Sequence, residues 1–87
     1  MAIDKKKKRE QIRDQLMEMV DSGTATPSEV IRLYRKLLGK TQPEFATFQG
    51  VSHEAVRQIE NNRGNHTIGL IEKMLRGSGL TIRIGRA

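Results

Sequence analysis

Residues 41–61, TQPEFATFQGVSHEAVRQIEN, constrain the fold of this chain more than any other stretch. Thr41-Gln42-Pro43-Glu44 has the pattern of a capping box: a hydroxyl to accept the N–H three residues on, and a carboxylate to reach back. Pro43 falls in the first turn, where no intrahelical N–H is required. The helix so begun reaches about Gln49, and Gly50 breaks it where a turn needs positive φ at no steric cost. Ser52 caps a second helix that runs to about Asn61. Two short helices joined by a tight turn form a helix-turn-helix, whose second helix lies in the major groove of DNA when the unit binds there.

The spacing of side-chain types supports that reading. Counting Gln42 as the first residue of the motif, the fifth is Ala46, small enough for two helices to cross closely, and the ninth is Gly50. The tenth, fifteenth and eighteenth are Val51, Val56 and Ile59, which pin the second helix to a core that Phe45 also enters.

The rest of the chain supplies helices for that core. Ile12, Leu16, Met19 and Val20 make an apolar stripe over residues 4–20, although lysines at the start of this helix oppose its dipole and favour fraying. Thr26-Pro27-Ser28-Glu29 repeats the capping-box logic, and Val30, Ile31, Tyr34, Leu37 and Leu38 form the inner face of the helix that Gly39 ends. Residues 62–65 read as a loop. Thr67 caps a fifth helix with Ile68, Ile71, Met74 and Leu75 inward, stopped by Gly77 and Gly79. Residues 80–84, LTIRI, alternate with period two and read as a strand with Leu80, Ile82 and Ile84 on one face. A lone strand leaves its ladder unpaired, and the simplest remedy is the same strand of a second copy across a two-fold axis. The expected fold is all-α: a basic helical extension over 1–23, a helix-turn-helix domain over 24–79, and a dimerisation strand over 80–87.

Composition narrows the chemistry. At 87 residues the chain is one small domain, and such domains rely on staples or partners for burial. It has no cysteine, so disulfides and thiolate metal sites are excluded, and two histidines, His53 and His66, are too few for a metal site of their own. No cofactor is expected. No paired-histidine spacing, phosphate-cradling glycine loop or Ser-His-acid set points to an enzyme. No apolar run is long enough to span a membrane and no secretory signal is present, so the cytoplasm is the expected compartment. The net charge of +6 suggests an anionic partner. Residues 1–9 hold Lys5, Lys6, Lys7, Lys8 and Arg9 against Asp4 alone, so most of the excess lies in that basic arm, where it can neutralise phosphates beside a main site. The body is nearly balanced, and its link to nucleic acid rests on the motif.

On the second motif helix, His53, Glu54, Arg57 and Gln58 are the candidates for reading bases. Gln58 suits adenine, Arg57 suits guanine, and Glu54 can accept from a cytosine amino group. Glu54 also suits a first turn, and Arg57 has Glu54 or Glu60 as alternative partners. Gln42, at the start of the first motif helix, is placed for a phosphate, and Lys40 and Arg63 flank the motif with charge.

Gly39, Thr41-Gln42, Ala46, Gly50-Val51-Ser52, Val56 and Ile59-Glu60, with the loop that follows, resemble the phage-repressor or XRE-type helix-turn-helix family over residues 28–79. The resemblance implies phosphate contacts from Thr41, Gln42, Ser52, Asn61 and Arg63, and a structural ion pair between Arg35 and Glu60. Within the family, TPSEVIRLYRK and the trailing GLTIRIG look most like antitoxins of HipB type. That implies a homodimeric repressor on a palindromic operator that also restrains a toxin protein. The lysine-rich first helix departs from that subgroup. The alternatives are a stand-alone phage, plasmid or restriction-controller regulator, and a protein-interaction module that keeps the fold without the DNA contacts.

Overall fold

Local capping explains where most of the helices begin. The computed structural model describes the backbone of residues 2–82 and the side chains of residues 6–82. The side chain of Lys5 and residue Ile84, both invoked above, lie outside the described residues. Five helices follow in order: α1 Ala2–Ser22, α2 Pro27–Leu37, α3 Gln42–Gln49, α4 His53–Glu60 and α5 Ile68–Met74. Thr26, Thr41, Ser52 and Thr67 each cap their helix by accepting the N–H three residues ahead. At Thr41 the box closes, because Glu44 accepts from the Thr41 N–H at 2.9 Å. At Thr26 only the forward half forms, from Glu29 N–H at 3.3 Å.

One core joins the five helices. Leu16 of α1, Ile31 and Tyr34 of α2, Phe45 and Ala46 of α3, Val56 and Ile59 of α4, and Met74 of α5 are all buried. Tyr34 meets Phe45 edge to face, with ring centres 5.9 Å apart and planes at 88°. The Tyr34 hydroxyl donates to the Arg76 carbonyl at 2.8 Å, which holds the end of α5 against α2. Buried Gln49 makes the matching bond from α3. Its amide donates to the carbonyls of Met74 and Arg76 at 3.0 and 2.9 Å. Two core groups thus satisfy carbonyls at and just beyond the C-terminus of α5, where the helix offers them no partner.

Two expectations need correction. The first helix extends beyond 4–20 at both ends despite its lysines. Leu16, 1% exposed, ties it to the common core, and tertiary packing of this kind outweighs an unfavourable dipole term. Ile68 does not face inward: it is 47% exposed, because it opens α5 a full turn before that helix meets the core at Ile71 and Met74. Residues 80–82 have no strand geometry in the single chain, and no strand occurs among the described residues. Leu80 instead packs on the core and donates its N–H to Ser78 Oγ at 3.0 Å.

Candidate nucleic-acid interface

The turn between α3 and α4 fixes how α4 is presented. Gly50 sits in the left-handed region at φ 70°, ψ 36°, and its N–H and that of Val51 return to the Ala46 carbonyl. The chain reverses within two residues and reaches Ser52, whose hydroxyl accepts from Ala55 N–H at 3.0 Å. Helix α4 then divides by face. Val56, Ile59 and Glu60 are buried, His53, Glu54 and Arg57 are exposed, and Gln58 is half-buried.

The exposed face carries a three-residue network. Arg57 Nε donates to Glu54 Oε2 at 3.1 Å, and its Nη2 donates to Glu54 Oε1. Gln58 Nε2 donates to the same Oε1 at 3.1 Å. Spacings of three and four residues place all three side chains on neighbouring turns. The Arg57 hydrogen bond holds the Glu54 carboxyl below the usual carboxylate range, and the same bond raises Arg57. His53 stands beside this network at the first position of the helix.

The opposite face of α4 carries a second, buried network. Arg35 Nε and Nη2 donate to Glu60 Oε2 and Oε1 at 2.7 and 2.9 Å, a bidentate fork. Arg35 Nη1 also donates to the Lys40 carbonyl at 2.9 Å, which ties the start of the α3 segment to the same guanidinium. The Glu60 carbonyl accepts from Ser28 Oγ at 2.8 Å and Arg32 Nη2 at 2.6 Å. Among the described residues, no buried side-chain nitrogen or oxygen lacks a partner.

The phosphate candidates lie around this unit. Thr41 Oγ1 and N–H are both engaged in the capping box, which leaves the adjacent Gln42 N–H as the first-turn donor outside the intrahelical ladder. The carboxylate of Glu44 in that box is also held below its usual range, chiefly by the Thr41 backbone hydrogen bond. Ser52 is used as a cap, Asn61 closes α4, and Arg63 is exposed. Lys40 lies over the Phe48 ring, 4.7 Å from its centre, so that exposed aromatic ring and the cation cover one another. The basic arm is helical here. Lys6 and Arg9 line a groove of about 660 Å3 with Arg13, Tyr34, Leu37 and Leu38, and no residue of α3 or α4 lines it.

Reasoning from sequence missed Ser28, Arg32, the Tyr34 hydroxyl and Gln49 as structural polar groups. Gln49 had a legible signal: it lies four residues after Phe45 and so on the same inward face of α3.

A capped helix pair with its second helix held from below and polar above is a helix-turn-helix DNA-binding domain. The helix-turn-helix family model matches residues 31–83, and the chain belongs to this family, of the XRE type. No curated protein and no solved structure matches the chain.

Proposed function

We propose that the chain is a sequence-specific transcriptional repressor that reads its operator with α4. The observation that carries this reading is the exposed polar face of α4, where His53, Arg57 and Gln58 stand on a helix fixed from beneath by Val56, Ile59 and Glu60. The N-terminal part of such a helix is the part that reaches base edges. Gln58 pairs with adenine in this account, and Arg57 pairs with guanine through the guanidinium edge turned away from Glu54. Gln42, Ser52, Asn61 and Arg63, with Lys40 and Thr41, set register by phosphate contact, and the basic arm adds charge to the encounter.

Two copies pair through residues 80–84 and place two α4 helices on half-sites about 34 Å apart. The chain's further role is that of an antitoxin which restrains a toxin encoded beside it and represses their shared operon. Its support is the arrangement of residues 26–36 and 79–85, which resembles HipB-type antitoxins.

Nuclease footprinting on the DNA upstream of the gene tests this. The account expects two protected half-sites one helical turn apart and symmetric about a centre. No protection at moderate salt sinks the repressor reading, and a single unpaired half-site sinks the dimer. For the antitoxin role, the neighbouring reading frame is expected to arrest growth when expressed alone and to be neutralised by this chain.

A further inference from the structure

Gln58 has an amide with a close neighbour at each end. Its Nε2 donates to Glu54 Oε1 at 3.1 Å. Its Oε1 lies 2.8 Å from the point where a Cβ on Gly64 would sit, and His66 Nε2 lies 2.9 Å from that point. Gly64 has φ +80°, in the region where side chains are strained, and the loop around it is tied to α4 by Arg63 N–H donating to the Gln58 carbonyl at 2.8 Å. The Gln58 oxygen therefore occupies space that any other residue at position 64 would fill.

The chemistry of the partners fixes the sense of the amide. An ionised carboxylate only accepts, so the end of Gln58 that faces Glu54 must be the NH2 group. That group has two hydrogens, and Glu54 takes one. One N–H and the Oε1 remain, which is the donor–acceptor pair that matches adenine N7 and N6 in the major groove. Guanine presents two acceptors, N7 and O6, so an amide held in this sense sets its oxygen against a base oxygen and rejects it. Turned over, the amide sets its NH2 against adenine N6 and its oxygen against N7, so an amide free to turn over is mismatched to adenine part of the time, while guanine is mismatched in either sense.

We propose that Glu54 and Gly64 are positioning residues that determine base specificity through Gln58, Glu54 by fixing the sense of its amide and Gly64 by leaving the space its oxygen occupies. This rests on the DNA-reading function proposed above. Glu54 then acts through Arg57 and Gln58 and does not itself contact a base.

Enrichment of binders from a randomised duplex library tests it, with the wild-type protein and the variants Gln58→Ala, Glu54→Gln, Gly64→Ala and Gly23→Ala. Gly23 is the control for backbone strain, since it has φ +73° and nothing within 4 Å of an added Cβ. Wild type is expected to prefer adenine at one base pair of the half-site, and Gln58→Ala to lose that preference. Glu54→Gln, which keeps the shape but lets either end of the amide be satisfied, and Gly64→Ala are expected to weaken the preference at the same base pair by about tenfold. Other positions keep their profile, and Gly23→Ala matches wild type. Unchanged preference at that base pair in Glu54→Gln and Gly64→Ala overturns the inference, as does an equal loss at every position or no change in Gln58→Ala. Failure of the wild-type protein to enrich any sequence is a different result, which removes the DNA-reading function and the inference together.

Discussion

Glu54 and Glu60 belong to the same eight-residue helix, and each is bound by an arginine, yet they sit in opposite surroundings. The Glu60 side chain is 2% exposed and that of its partner Arg35 16%, whereas Glu54 and Arg57 are 58% and 51% exposed. A buried carboxylate is held there only if its partners satisfy it, so losing one partner leaves an uncompensated charge in the core. An exposed pair gains little stability, because water solvates either partner alone. Ion pairs on the same helix therefore differ in what they can do. The Glu60 pair fixes where α4 lies, and the Glu54 pair orders what α4 presents. Glu60 also accepts through its carbonyl from Ser28 and Arg32, so the inner network grips both side chain and main chain, while the outer one orders side chains alone.

The largest effect that sharpens this contrast is expected from Arg35→Ala. It removes the fork on Glu60 and the bond to the Lys40 carbonyl at once, and breaking such a pair costs about 3–5 kcal/mol. For a domain of this size each kcal/mol moves the melting temperature by roughly 4–8 °C. Thermal denaturation followed by circular dichroism should thus show a fall of well over ten degrees, on the order of the product of those two figures. An unchanged melting temperature breaks the structural half of the contrast.

A smaller loss is expected from Gln49→Ala, which takes the side-chain donor from the Met74 carbonyl and leaves the Arg76 carbonyl with Tyr34 alone. Leaving a buried acceptor unsatisfied costs about 1–3 kcal/mol, visible as a lower urea midpoint with an unchanged slope. Glu54→Gln should leave the melting temperature where it is while altering base preference. If it destabilises the protein as Arg35→Ala does, the division of labour along α4 is wrong.

The smallest effect concerns pH. The Glu54 carboxyl is held below its usual value of 4.5, chiefly by the Arg57 hydrogen bond. A group lowered on folding contributes fully above its unfolded value, and that contribution is lost as pH falls through the folded value. Adenine preference should therefore stay flat from neutral pH down to about the ordinary glutamate range and decline only below it. A decline that begins well above the glutamate range would count against Glu54 as the group responsible.

Local chemistry was legible in the sequence, and long-range chemistry was not. The caps at Thr26, Thr41, Ser52 and Thr67 and the left-handed Gly50 are decided within four residues, and all appear where capping and turn rules place them. The contacts of Ser28, Arg32, Tyr34 and Gln49 span 25 to 42 residues of chain, and no local pattern announces them. Ile68 misled because periodicity assigns a face to a helix but not the turn at which that helix first meets the core. Alternation over residues 80–84 encodes a face to bury, and in the single chain Leu80 buries it against the core without a ladder partner. On α4 the pattern separated the inner from the outer face. It left Arg57 with two possible partners, a choice that geometry settles in favour of Glu54, with the buried Glu60 claimed by Arg35.

The central claim is that the exposed face of α4, and Gln58 above all, reads a DNA sequence. Fluorescence anisotropy titration tests it most directly, with wild-type protein and Gln58→Ala against duplex from the gene's own upstream region and a scrambled duplex of the same composition, at one moderate salt concentration. The account predicts that wild type prefers its own duplex by about a thousandfold or more, and that Gln58→Ala loses roughly tenfold on that duplex alone. Equal affinity of the wild-type protein for both duplexes would contradict it.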